Sequence, residues 1–109
     1  MTVNSAVGGA TGGHPPGGAR ARELLLEERR TRLAQLAALD RAEDGAADEA
    51  ALARRDSLQT TIEEVDAALA RLDDGTYGRC EDCARPVPAG RLEIIPYARR
   101  CVQCQQRRR

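Results

Sequence analysis

The sequence predicts a mainly α chain: an antiparallel two-helix coiled-coil hairpin followed by a small finger built on four cysteines. Two patterns and one shortage carry this prediction. Leu58, Ile62, Val65, Leu69 and Leu72 recur at spacings of four, three, four and three, which is a heptad seam. The four cysteines of the chain form two pairs, Cys80-Glu-Asp-Cys83 and Cys101-Val-Gln-Cys104, with seventeen residues between them. Among 109 residues there is no Phe or Trp and only two tyrosines, Tyr77 and Tyr97. A large globular core is therefore excluded, and a small domain of this kind needs a staple.

Residues 1–19 hold six glycines, Pro15, Pro16 and the single histidine, His14. This composition predicts a disordered N-terminal tail. A hairpin is expected over residues 20–74. Its first helix runs from about Arg20 to Asp44, with Leu26, Leu33 and Leu36, then Leu39 or Asp40, as its seam and Glu28 within reach of Arg32 at i,i+4. Gly45 supplies a left-handed stop and Asp48 an N-cap, so the turn falls near residues 43–48. The second helix is expected from Asp48 to Asp73, with Ala51 extending the seam backwards. Asp73-Asp74-Gly75 ends it. At 1.5 Å per residue, arms of this length make a rod roughly 37 Å long.

Residues 75–109 are the expected finger. Two C-x2-C pairs at this spacing suit one ion held by four thiolates, Cys80, Cys83, Cys101 and Cys104. Zn2+ with four sulfurs is closed and tetrahedral, which makes the site structural rather than catalytic. Two disulfides in a secreted domain are the alternative, but the N-terminus lacks a charged start followed by an apolar run. A redox relay would need a βαβ pattern around one pair, and none is apparent. Leu92, Val87, Ile94 or Ile95 and the tyrosines should pack round the metal. Arg91–Pro96 is expected to include a short strand, and the residues after Cys104 a short helical end.

The formal charge is zero, but residues 23–75 carry a net of −7 and residues 76–109 a net of +5. The chain reads as an acidic rod attached to a basic knob. No apolar run approaches the length of a membrane span. A reducing cytoplasm is the expected location, because it keeps thiols available for zinc.

Gly75-Thr76-Tyr77-Gly78-x-Cys80-x-x-Cys83, then Arg91-Leu92-Glu93, Pro96, Ala98 and Cys101-x-x-Cys104, resemble the DksA/TraR four-cysteine zinc-finger proteins of bacteria. Ile62–Leu69 leads into the finger as in that family, and the resemblance covers roughly residues 54–104. It implies a zinc-binding transcription regulator that binds RNA polymerase. In such proteins the hairpin enters the secondary channel and acidic residues at its tip approach the active centre, often together with the alarmone ppGpp. The family's best-known tip is Asp-x-x-Asp-x-Ala. Counting back from Cys80 places Asp40 and Ala42 on its last Asp and its Ala, and Ala37 on its first Asp. The turn chemistry gives a second register, in which Asp44 and Asp48, with Glu43 beside them, are the exposed acids. Asp40, Ala42, Asp44 and Asp48 are therefore the candidate polymerase-contacting residues, and no ppGpp pocket is assigned.

Two other functions compete. A nucleic-acid-binding zinc module would use Arg79, Arg85, Arg91, Arg99, Arg100 and Arg107–Arg109, with steep salt dependence; the acidic rod and the lack of a recognition helix oppose sequence-specific DNA binding. A zinc- or redox-responsive stress protein would release metal when its thiolates are oxidised. No acid–base or nucleophile constellation points to an enzyme. A monomer is expected, since an antiparallel hairpin satisfies its own seam.

Overall fold

A computed structural model describes residues 17–42 and 48–108. The expected tail up to residue 16, and Asp44 with most of the expected turn, lie outside the described residues. Among the described residues four helices follow one another: α1 Gly18–Arg41, α2 Glu49–Asp74, α3 Ala89–Ile94 and α4 Val102–Arg107. The two long helices pack against each other as the arms of a hairpin. The longest dimension is 61 Å, against 30 and 23 Å across.

Helix α2 follows its sequence signals closely. Asp48 is the N-cap, and its carboxylate accepts from the Ala50 amide at 3.1 Å. This satisfies one of the donors that a helix start leaves free. Gly75 closes the other end in the left-handed region, at φ 84°, with its amide donating to the Arg71 carbonyl. Asp74 then organises the exit, accepting from the Thr76 amide at 3.0 Å and the Thr76 hydroxyl at 2.6 Å. These bonds hold the Asp74 carboxyl below its ordinary range.

Helix α1 corrects the expected seam. Leu25 is fully buried, whereas Leu26 and Leu33 are 44% and 40% exposed. The inward stripe is Ala21 and Leu25, continued by half-buried Glu28, Arg32, Leu36 and Leu39. The triplet Leu24-Leu25-Leu26 offers the helix a choice of register. Leu25 is the leucine that closes against Val65 and Ala68, with Leu69, Leu72, Tyr77 and Tyr97 around it. Further along, Glu28 and Arg32 take seam positions as an ion pair 3.1 Å apart, each side chain about 30% exposed. Arginine can lie there because its aliphatic stem covers the seam while its head reaches the edge.

Packing is therefore graded along the rod. The base near the finger is closed, and Leu58 is the one buried side chain of the distal half among the described residues. Beside it a groove of about 440 Å³ opens between the arms, lined by Arg32, Gln35, Ala38, Leu39, Arg54, Ser57 and Leu58. Small residues at Ala38 and Ser57 leave that space unfilled.

The two leucines give opposite expectations in urea unfolding. Leu25→Ala removes a fully buried side chain and should cost about 2–5 kcal/mol. Leu33→Ala should change stability by about 0.5 kcal/mol or less. Equal losses at the two positions would contradict the assigned register.

Candidate metal centre

The finger starts at a junction that forces the chain to turn twice. Gly75 and Gly78 both sit in the left-handed region, at φ 84° and 87°, where a Cβ is penalised. Between them Tyr77 packs into the base of the hairpin and into the core of the finger. Its hydroxyl donates to the Pro96 carbonyl at 2.9 Å. Burial raises the Tyr77 phenol to about 12, so it remains a donor at any physiological pH.

Backbone bonds shape the first cysteine pair. The Cys80 amide donates to the Arg85 carbonyl at 2.8 Å, the Ala84 amide to the Cys80 carbonyl at 2.9 Å, and the Val87 amide to the Gly78 carbonyl at 2.8 Å. Arg79 and Pro86 face each other as an isolated antiparallel bridge. The turn obliges Ala84 to take φ 66°, a conformation that costs an ordinary residue about 1–2 kcal/mol. The second pair opens α4: Cys101 is the N-cap position, its carbonyl accepts from the Gln105 amide, and Cys104 lies one turn in. Residues 91–94, expected within a strand, are instead helical. Pro88 stands at the N-cap of α3 with its φ preset at −56°. Leu92 is the buried residue of that turn, while Ile94 stays exposed.

The two pairs meet. All four sulfurs lie within 4.8 Å of one another, and those of Cys83 and Cys101 are 3.9 Å apart. A tetrahedron with metal–sulfur bonds of about 2.3 Å has edges of about 3.8 Å. The donor set and its spacing therefore fit one Zn2+, as expected from the sequence. None of the four cysteines is in a disulfide.

The electrostatics also favour a cation. Burial opposes ionisation of Cys80, but amides from Cys101, Cys83 and Asp82 outweigh it and bring that thiol down to about 6. Arg107 donates to the Cys104 sulfur at 3.2 Å and favours its thiolate. Burial and the other three sulfurs oppose Arg107, and Cys104 rises to about 11. The cluster readily accepts a first negative charge and resists a later one. A divalent ion removes that conflict.

At the far end of the rod the candidate residues have local partners. Asp40 pairs with Arg55 across the hairpin. Ala42 closes α1, donating to the carbonyls of Ala38 and Leu39 at 3.2 Å. Asp48 caps α2. What the sequence reading missed is a group of charges around the cysteines. Glu81 meets Arg99 and Arg100, and Asp82 meets Arg100 and Arg108. Their positions within and beside the C-x2-C pairs were the available signal.

Residues 75–109 match the prokaryotic dksA/traR C4-type zinc finger. A 56-residue segment is 41% identical to the RNA polymerase-binding transcription factor DksA of Caulobacter vibrioides, covering 51% of this chain and 39% of that protein. A 44-residue segment is 50% identical to general stress protein 16O of Bacillus subtilis, covering 40% of this chain and 27% of that protein. The chain thus matches well under half the length of these curated relatives. The fold is that of transcription factor DksA2 from Pseudomonas aeruginosa, with a TM-score of 0.71 at 24% identity over 84% of this chain and 81% of that one. Among the described residues no helix is long and apolar enough to cross a membrane.

Two substitutions test the centre. Cys80→Ser should abolish the thiolate-to-metal absorption of the Co2+-loaded protein while leaving much of the hairpin's helical circular dichroism. Retention of a full four-sulfur spectrum would remove Cys80 from the site. Ala84→Gly should raise the melting point of the zinc-loaded protein, against the usual cost of glycine, because it relieves the left-handed backbone by about 1 kcal/mol.

Proposed function

We propose that this chain, whose residues 75–109 are a DksA/TraR-type zinc finger, is a cytoplasmic transcription regulator that binds RNA polymerase. Cys80, Cys83, Cys101 and Cys104 hold one structural Zn2+. The hairpin enters the polymerase secondary channel with its turn foremost and alters initiation, and the protein performs no catalysis of its own. The observation that carries this reading is the shape: a narrow two-helix rod fixed at its base to a four-cysteine finger. The 41% identity to a relative named as an RNA polymerase-binding factor supports the partner. The charge of the rod supports the route, since a channel that admits anionic nucleotides also suits an acidic probe.

The nucleic-acid reading loses support at four of the eight arginines on which it depends. Arg99, Arg100 and Arg108 are paired with Glu81 and Asp82, and Arg107 points at the Cys104 sulfur. They are already engaged within the finger and less available to phosphates.

A pull-down of purified core RNA polymerase by the zinc-loaded protein, across salt and with competitor DNA, tests the partner. Binding that persists under DNA competition is expected; retention on DNA without polymerase would reverse the assignment. Asp44→Asn combined with Asp48→Asn should leave folding and polymerase binding intact, because Asn also caps a helix. The same variant should weaken the change in promoter-complex lifetime. An undiminished effect would shift the tip role to Asp40.

A further inference from the structure

The two residues inside the first cysteine pair are both acids, and arginines flank the second pair on either side. The fold brings these charges together. Arg99 Nε lies 3.2 Å from Glu81, and Arg100 reaches Glu81 at 3.5 Å and Asp82 at 3.2 Å. Arg108, at the end of α4, grips both oxygens of Asp82 at 2.9 and 3.1 Å. The Glu81 amide adds a backbone bond to the Arg99 carbonyl at 2.9 Å. Each contact joins a residue of the first cysteine pair to one beside the second. None of them passes through a cysteine sulfur.

Single exposed ion pairs are weak. This set differs in sharing: Arg100, only 17% exposed, serves two carboxylates, and Asp82 receives two arginines. Once one side chain is fixed, its neighbours lose less freedom on joining. The bidentate Arg108–Asp82 contact adds directional constraint. With Arg107 included, four arginines, two acids and a dianionic zinc–thiolate centre carry no net charge together.

We propose that Glu81 and Asp82 form, with Arg99, Arg100 and Arg108, a clasp outside the sulfurs that keeps the two cysteine pairs in ligating register and sets how long the finger retains its metal. The clasp rests on the four-thiolate zinc reading. It resists departure of one cysteine pair from the ion, the step that an incoming chelator must exploit. It acts through the ligands' positions and touches no metal itself.

The test is zinc transfer from the full chain to excess colorimetric chelator, under reductant and at fixed pH and low salt. Asp82→Asn and Arg108→Gln should each speed release roughly three- to tenfold, and the double variant should be no faster than the faster single one. Arg108→Lys should restore part of the retention. Salt at about 1 M should bring wild type towards the variants. The Co2+ spectra of all variants should match wild type, because the ligand set is unchanged. The Arg108 side chain is 55% exposed, so its variant keeps the fold. Release rates equal to wild type, or effects that multiply independently in the double variant, would overturn the clasp while leaving the zinc reading intact. Absence of a four-sulfur Co2+ spectrum in wild type would overturn both.

Discussion

Four sulfurs brought within 4.8 Å of one another are the constraint on which the rest of the finger depends. The buried core of the finger is Cys80, Val87, Leu92, Ala98 and Cys104. Two of those five residues are themselves thiols of the cluster. No aromatic ring is fully buried there, and Tyr77, packed against this core, is only half-buried. Hydrophobic burial on this scale does not hold some thirty residues of turns and short helices in one conformation. The ion supplies the missing cohesion, and it also resolves the opposed thiol acidities of Cys80 and Cys104. Metal binding and folding of the finger are then one equilibrium rather than two.

That cohesion reaches the rod through a short weld. Gly75 ends α2, Tyr77 joins both cores, and its hydroxyl is fixed to Pro96. The closed packing of Leu25, Val65 and Ala68 lies at this same end. Stability is therefore concentrated where the rod is anchored and thins towards the turn, where the groove beside Leu58 remains open. Under the proposed function, in which the rod is a probe, this distribution is suitable. The base sets the direction in which the tip points, and the distal half can adjust as it meets a surface.

Much of this was legible in the sequence, for reasons that can be named. The four cysteines, the seam of α2, the Asp48 cap and the Gly75 stop each depend on local chemistry that few residue types supply. The register of α1 was not legible. Three consecutive leucines permit several faces, and the choice was decided by contact with Val65 and Ala68 in another helix. Glu28 and Arg32 further disguised the seam, because a paired acid and arginine read as surface. The turn at α3 was hidden by Ile94 and Ile95, whose β-branched side chains suggest a strand, while the preset φ of Pro88 directs the backbone into a helix. The charges around the cysteines were visible as letters, but only the fold shows that Glu81 and Asp82 face Arg99, Arg100 and Arg108.

The same fold changes how the tip's charge should be counted. Asp40 is paired with Arg55, and Asp48 faces the positive start of α2. The Asp40–Arg55 pair adds nothing to the formal net of −7, whereas Asp48 keeps its charge while capping α2. Along the arms, Arg29 is matched to Asp66 and Arg22 to Asp73. Such pairing leaves the excess of acids spread over the rod, where it acts as a general field. A spread field favours entry and orientation in a channel of opposite character. A residue-specific effect of Asp40 or Asp48 would then require that acid to exchange its internal partner for an external one. Under the proposed function, the contribution of Asp40 or Asp48 is thus set by a difference between two pairings, the internal one and the one made with the partner.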